Sequence, residues 1–483
     1  MPTKPTESEE LAWKIWILST KLENLDLHPE REALLQSASK HTNSLGTFDT
    51  DVFIVGGGNA AVALAARLKA LGVESVMAER NPHAGDNWAR RYDCLKFHVP
   101  TAMCELPYMN YDKEMQSPHL LTKDELAQQV SRYVSAFKLN IINSAEILET
   151  TQLSDRRWEV KFQTPAGTRT VVTKHLVQAT GFGSQKPYIP SVADQQLYKG
   201  ISIHSQQFKN AEELKKQGAN SVLIIGSANT AFDVLEDCCA AGLQTTMNVR
   251  SPTYLVPIEY VSNPMSLGIY DIIGAEAADQ LMCTIPSIVD SQFAKGLFAH
   301  LASQDSDRYA ALKANTNFPV IDSTNPDMAL MHNLLERGGG HYVDIGGVAL
   351  LTEGKAAVKA NVEPVAYTST GVRFSDGTTM DVDAIIWCTG YSDKDATTTA
   401  TDIMKTKSKL EVDATWGIDQ EGEIRGMWKR HSKLDNYWMM GGFAQQHRYY
   451  SRVLALQIKA ALEGVLPEAY LDTPQPTVAI NGK

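Results

Sequence analysis

The apolar positions of this chain change period several times. Residues 8–40 (SEELAWKIWILSTKLENLDLHPEREALLQSASK) carry Leu11, Ile15, Ile17, Leu18 and Leu22 at near-helical spacing, which predicts an amphipathic N-terminal helical extension that breaks at Pro29. This segment is a candidate docking arm, dimer contact or substrate lid, or it packs on its own domain. At Asp51 the pattern becomes a short continuous apolar strand, DVFIV, followed by the turn GGGNAA, the helix VALAARLKALG and a second strand, SVMAER. A second copy begins at Ser221, with strand SVLIIG, turn SANTA, helix FDVLEDCCAAGL and strand TTMNVR. Two such βαβ units, about 170 residues apart, predict an α/β fold with two Rossmann-like dinucleotide-binding domains and exclude a repeat solenoid.

Between the two units, RRWEVKFQTPAGTRTVVTKHLVQATG reads as a β segment and leads to a connection around Pro187 and Pro190. Residues 253–335 are rich in helix formers and read as an excursion from the second unit. VRFSDGTTMDVDAIIWCTGY then returns to strands, and SRVLALQIKAALEG predicts a final amphipathic helix. The expected organisation is an N-terminal extension over 1–48, a first nucleotide domain over 49–208 that resumes over 381–483, and a second domain, 209–380, inserted into it.

A length of 483 residues with 43% apolar positions fits about three domains at roughly 150 residues each and excludes a disordered chain. The net charge of −11, with no compensating run of Lys or Arg, argues against nucleic acid as a partner. The first ten residues, MPTKPTESEE, are polar, the tail LDTPQPTVAINGK carries no apolar anchor, and no run of 18 apolar residues occurs. The expectation is a soluble, cytoplasmic protein with no membrane partner. Cys94, Cys104, Cys238, Cys239, Cys283 and Cys388 show neither C-x-x-C nor a zinc-like spacing, so free thiols and no metal are expected. Cys238 and Cys239 fall in a predicted helix, where neighbouring side chains diverge by about 100°. A disulfide-reductase chemistry loses support there.

The first turn, Gly56-Gly57-Gly58-Asn59-Ala60-Ala61, has the G-x-G-x-x-A form that brings backbone N–H groups to a pyrophosphate at a helix N-terminus. Glu79, followed by Arg80, ends the next strand 23 residues after Gly56, where a carboxylate accepts from ribose hydroxyls. The second turn, Gly226-Ser227-Ala228-Asn229-Thr230-Ala231, has lost its middle glycine, so a methyl intrudes where backbone meets phosphate. No carboxylate ends its second strand. Asn248, Arg250 and Ser251 stand there instead, and an Arg suits the 2′-phosphate of NADPH, the alternative being a surface cation.

Between the units lies Tyr198-Lys199-Gly200-Ile201-Ser202-Ile203-His204-Ser205-Gln206-Gln207-Phe208. This run closely resembles the F-x-G-x-x-x-H-x-x-x-(Y/F) fingerprint of the flavin-containing monooxygenases, with Tyr198 in place of the first Phe. The motif order matches too: GGGNAA, ER with a following Trp88, LKFHVPTAMCELP, Ala179-Thr180-Gly181, the fingerprint, GSANTA, and Cys388-Thr389-Gly390-Tyr391. Glu79 to Pro107 is similar to the YUCCA-type flavin monooxygenases, and the resemblance covers about residues 50–465.

The resemblance implies a class B flavoprotein monooxygenase, with FAD on the first unit, NADPH on the second, and a small organic substrate and O₂ as partners. In this family NADPH reduces the flavin and O₂ adds to give a C4a-(hydro)peroxyflavin, which oxygenates nitrogen or sulfur or, as the anion, attacks a carbonyl. Asn87 and Trp88 match the segment that approaches the flavin. His98 matches a position beside the isoalloxazine, or is a core histidine bonded to backbone. His204 links the two domains or moves a proton. Thr180-Gly181 and Thr389-Gly390 are hinge or cofactor-contact candidates, or ordinary strand-end turns. Gln445 or Gln446, at the start of the last helix, adds a donor near the flavin or caps the helix. Phe208, closing the fingerprint, favours oxygenation at nitrogen or sulfur. Baeyer–Villiger or YUCCA-like oxidation of a carbonyl substrate is the runner-up, and an oxidase or reductase that transfers no oxygen, or a silent flavin-binding module, is the alternative of another class.

Overall fold

The computed structural model describes residues 18–39, 46–181, 186–392, 397–405, 412, 415–431 and 433–469. Strands β1 (Thr47–Val55), β2 (Ser75–Ala78), β3 (Ile141–Ile142), β4 (Glu146–Gln152), β5 (Trp158–Thr164) and β6 (Gly167–Gln178) make a first sheet in the order β3-β2-β1-β6-β5-β4. Its inner strands run parallel, and Val52–Val55 at its centre are buried throughout, which is why they read as an unbroken apolar run. Helix α1 (Asn59–Ala70) crosses from β1 to β2 with ten of its residues buried, its alanines at 60, 61, 63, 65 and 66 allowing close packing.

A second, all-parallel sheet comprises β7 (Ile201–His204), β8 (Ser221–Ile225), β9 (Gln244–Val249), β10 (Ala357–Ala360) and β11 (Ala384–Trp387), in the order β10-β9-β8-β11-β7. Helix α2 (Asn229–Ala240) crosses from β8 to β9. The chain then returns to the first sheet as β12 (Tyr437–Met439), parallel to the end of β6. The fold is therefore mixed α/β, with a first sheet whose β4 and β5 run antiparallel beside a parallel core and a second sheet that is parallel throughout. β7 and β11 hydrogen-bond within the second sheet, although the expected boundaries at 208 and 380 placed both with the first. Single strands flanking an insertion carry no sequence mark of the sheet they join.

The helix-rich excursion is present as α3 (Ala275–Cys283), α4 (Ser287–Ser303) and shorter helices. It also holds a small parallel sheet, Thr253–Pro257 with Val320–Ile321 and His341–Asp344, so it closes a few residues beyond 335. The last helix, α5 (Ala444–Leu462), lies against α1. Arg448 on α5 is the main tie between the excursion and the first sheet. Its Nε and Nη2 donate to the two carboxylate oxygens of Asp279 on α3 at 2.6 and 2.7 Å, and Nη1 donates to the carbonyls of Met103 and Glu105. Both charged side chains are buried, and Tyr270 donates its hydroxyl to Asp279 as well.

The N-terminal expectation is corrected in part. Leu11, Ile15 and Ile17 lie outside the described residues, as does the polar tail from 470. Over 18–39 there is no α-helix, only a 3₁₀ turn at Glu32–Gln36, and Leu18 and Leu22 are exposed. Leu27 turns the chain at φ +65° and Pro29 bars a helical His28, which together outweigh the apolar spacing. The segment packs on its own chain: Glu30 accepts from Arg67 on α1 at 2.9 Å and from the Tyr108 hydroxyl at 2.8 Å. Among the described residues, no helix is long and apolar enough to cross a membrane.

Asp279→Ala leaves the Arg448 guanidinium buried without its counter-ion, and unfolding in denaturant is expected to show a loss of about 3–5 kcal/mol. A loss below about 1 kcal/mol, the size of a surface pair, contradicts this role.

Candidate functional site

The two glycine turns are built alike, each against the end of a neighbouring strand. Gly56 follows β1 at φ +116°, and its N–H donates to Ala78 O at 2.8 Å. The N–H of Ala179, just past β6, donates to Val55 O at 2.9 Å, so close that a Cβ on Gly56 would stand 2.3 Å from Ala179 O. Gly226 follows β8 at φ +123°, its N–H donates to Asn248 O at 3.1 Å, and a Cβ on it would stand 2.5 Å from Cys388 O. Only glycine fits either place. The residues after those two carbonyls are Thr180-Gly181 and Thr389-Gly390, so each pair falls beside a glycine turn.

The missing middle glycine of the second turn costs the backbone nothing. Gly58 caps α1 at φ −82°, ψ −174°, and Ala228 caps α2 at φ −94°, ψ −175°, an extended conformation open to any residue. The methyl of Ala228 affects only how closely a ligand approaches.

At the first turn, Glu79 is buried, with Oε2 accepting from Gly57 N–H at 2.8 Å and Oε1 accepting from the backbone and side-chain N–H groups of Asn81 at 2.8 and 2.6 Å. Oε2 keeps a lone pair for a ribose hydroxyl, whereas both lone pairs of Oε1 are taken by Asn81. Trp88 donates its indole N–H to Asn59 Oδ1 at 2.7 Å, and Asn87 Nδ2 lies 3.5 Å from where a Gly58 Cβ would be. Asn59, Glu79, Asn87 and Trp88 therefore converge on this turn, with Ala60 buried behind it and Arg80 exposed beside it. A helix N-terminus, a glycine cradle and a fixed carboxylate fit an adenine dinucleotide.

The second turn opens into a cleft of about 820 Å³. Gly226, Ser227, Ala228, Asn229 and Thr230 line it together with Arg250, Ser251, Gly390, Tyr391 and Phe443, the last being the residue before α5. Ser227 Oγ hydrogen-bonds Thr253 Oγ1, and Asn229 Oδ1 accepts from Val343 N–H at 2.9 Å. Asn248 is taken up by Lys359 O and Val362 O, both 2.9 Å from its Nδ2. Arg250 pairs with Glu363 at 3.1 Å. This cleft fits a second dinucleotide.

His98 is buried at the seam between the units. Its Nε2 lies 3.2 Å from Asp233 Oδ1 on α2, and Asp233 Oδ2 accepts the Tyr92 hydroxyl at 2.7 Å. Burial, with the Asp233 charge added, raises the Tyr92 phenol well above its ordinary range, so it stays a donor. The backbone-bonded alternative for His98 does not hold: its neighbour is a carboxylate. His204 has both ring nitrogens on backbone, Nε2 to Gly390 O at 3.0 Å and Nδ1 to Gln206 N–H at 3.1 Å. Burial holds its pKa below the usual imidazole range, so it stays neutral and ties β7 to the Gly390 turn; proton transfer is not what this geometry serves. Gln446 caps α5, its Oε1 accepting from Phe443 N–H at 2.8 Å, whereas the buried Gln445 Oε1 has no partner among the described residues.

Sequence reasoning missed Asp233 and Glu363. Asp233 is a polar residue on an otherwise buried helix face, a signal that was available. Glu363 reaches the cleft from a strand edge 113 residues after Arg250, with no local signal.

Two glycine turns, each following a strand of a parallel βαβ unit, define a dinucleotide-dependent oxidoreductase, and the comparisons agree. Residues 53–262 match the family model described as pyridine nucleotide-disulphide oxidoreductase. The chain is 27% identical over 343 residues to an indole-3-pyruvate monooxygenase, YUCCA1, of Oryza sativa subsp. japonica, covering 70% of this chain and 76% of that one. A flavin-containing monooxygenase from Stenotrophomonas maltophilia superposes with a TM-score of 0.56 at 17% identity, covering 86% of this chain and 99% of that one. OTEMO, solved in complex with FAD and NADP, superposes with a TM-score of 0.58 at 15% identity, over 86% of this chain and 85% of that one. In sequence and in fold the chain is similar to the flavin monooxygenases.

Gly58→Ala reproduces the backbone already found at Ala228, so its thermal midpoint is expected to stay within about 2 °C of the parent while flavin binding weakens. Gly56→Ala, with a left-handed φ and a backbone clash, is expected to lose about 1–3 kcal/mol or more of stability together with the flavin. Equal stability for both variants would contradict the packing described for Gly56.

Proposed function

We propose that this chain is an FAD- and NADPH-dependent monooxygenase that oxygenates a small organic substrate. The twin turns carry the reading: two dinucleotide sites, one with a ribose carboxylate and one with an arginine, joined by a cleft that ends at the α5 N-terminus. FAD sits on Gly56, Gly58, Asn59 and Ala60 with Glu79 at its ribose, and NADPH on Gly226–Thr230 with Arg250 at its 2′-phosphate. The FAD domain comprises residues 49–208 and 381–483, less β7 and β11, which join the NADPH domain inserted between them.

When bound, FAD accepts a hydride from NADPH, activates O₂ and delivers one oxygen atom to the substrate. This chain's own residues orient and enclose that chemistry. Trp88 and Asn87 cover the first turn, with Thr180 and Gly181 at its edge. Thr389 and Gly390, the latter held by His204, form the floor where the cleft passes toward the flavin. The α5 N-terminus presents free N–H groups and Gln445 to a ring that gains negative charge on reduction. His98, braced on Asp233, offers a hydrogen bond at the seam between the two cofactors.

For the atom oxygenated, a carbonyl compound is the substrate class favoured. Phe208, which pointed to nitrogen or sulfur, is 1% exposed and packs in the core of the second unit, so its identity reports packing. The plant relatives are named for a 2-oxo acid substrate. Oxygenation at nitrogen or sulfur stands second, on the form of the fingerprint. A disulfide reductase is disfavoured: all six cysteines are free, and burial raises the thiol of Cys104 to about 12 and pushes those of Cys94, Cys238 and Cys388 higher still.

The test is oxygen-consuming turnover of the flavin-loaded protein with NADPH and panels of 2-oxo acids, ketones, amines and thioethers. Oxygenated product matching NADPH consumed, with a 2-oxo acid or ketone, is the expected result. Stoichiometric hydrogen peroxide with every panel would contradict oxygen transfer, and product only from amines or thioethers would put the second reading first.

A further inference from the structure

No carboxylate follows β9 in the sequence, yet the fold brings one to its end. Glu363 places Oε2 3.1 Å from Nη1 of Arg250, and both residues line the same cleft. The contact has a fixed base. Asn361 N–H donates to Val249 O at 2.7 Å, the Glu363 backbone N–H donates to Ser375 Oγ at 3.2 Å, and Ser375 N–H donates to Glu363 O at 2.9 Å. The Glu363 backbone is thus stitched to the end of β9 on one side and to the hairpin from Gly371 on the other. The two side chains remain 69% and 50% exposed, free to exchange partners.

The end of β9 is where the adenosine ribose of a nucleotide on the second turn is read. A carboxylate there accepts from a 2′-hydroxyl and repels a 2′-phosphate, whereas an arginine does the reverse. We propose that Glu363 is a specificity-determining residue that opposes Arg250. It holds the guanidinium as counter-ion, repels the 2′-phosphate of NADPH and accepts a hydrogen bond from the 2′-hydroxyl of NADH, so that the site takes both coenzymes. This rests on the reading of the cleft as the nicotinamide coenzyme site and adds to it a residue that weakens the preference Arg250 creates. An exposed pair dissociates at little cost, so NADPH still binds by drawing Arg250 away. The discrimination is small and lies in binding.

The experiment is anaerobic reduction of the flavin-loaded full chain by NADPH and by NADH, for the parent, Glu363→Gln and Arg250→Ala, reading the limiting rate and the half-saturating coenzyme concentration. Glu363→Gln is expected to raise the NADPH-over-NADH ratio of rate to half-saturation about five-fold, the scale of one exposed charge contact. The change should fall on half-saturation, with the limiting rates and thermal midpoint of the parent. Arg250→Ala is expected to narrow the ratio. A ratio unmoved by Glu363→Gln while Arg250→Ala narrows it overturns the role of Glu363 and leaves the coenzyme site standing. A ratio unmoved by either variant overturns both residues, and a flavin reduced by neither coenzyme overturns the coenzyme site itself and the proposal with it.

Discussion

In each of the two large sheets of this protein a central strand ends in a glycine pressed on a carbonyl. Gly56 lies against Ala179 O and Gly226 against Cys388 O, both at φ values that side chains avoid, and in both cases no room exists for a Cβ. That contact brings the helix after each turn, α1 or α2, to start level with the end of the adjacent strand. The Thr-Gly pairs after β6 and β11 then fall at the mouths of the two turns. Position on the sheet, not local flexibility, makes these segments candidate binding elements, and helix N-termini present the free N–H groups that phosphate needs.

Two buried polar contacts hold the remaining pieces around those turns. Arg448 and Asp279 fasten the helical excursion, which departs from the second unit, onto the last helix of the first. Asp233 on α2 faces His98 and holds Tyr92, both on the segment that follows the first turn's cover. The Arg448–Asp279 pair removes charge from water and is sustained by the hydrogen bonds that fill both groups.

Much of this was legible in the chain. Both βαβ units, the Glu79 carboxylate and the final helix follow from apolar period and turn chemistry, because each is set by residues close in sequence. β7 and β11 were assigned to the wrong sheet because four-residue strands bear no mark of their neighbours. The N-terminal helix expected from Leu11, Ile15, Ile17, Leu18 and Leu22 does not form over 18–39, where Leu27 and Pro29 turn the chain and Glu30 holds it on Arg67. Gln446 was paired with Gln445 as a ligand donor, and only the α5 cap geometry separates them. The partners of Arg250, Arg448 and His98 lie more than 100 residues away in each case, through contacts that no local pattern encodes.

The account depends on the two turns holding different nucleotides. Gly226→Ala places a Cβ 2.5 Å from Cys388 O and leaves the first turn untouched. Flavin content and anaerobic reduction by NADPH, measured together on that variant, test the division directly. Retained FAD with reduction by NADPH slowed at least about ten-fold, equivalent to about 1.4 kcal/mol, is the predicted result. Loss of FAD from an otherwise folded protein, or reduction at the parent rate, would contradict it.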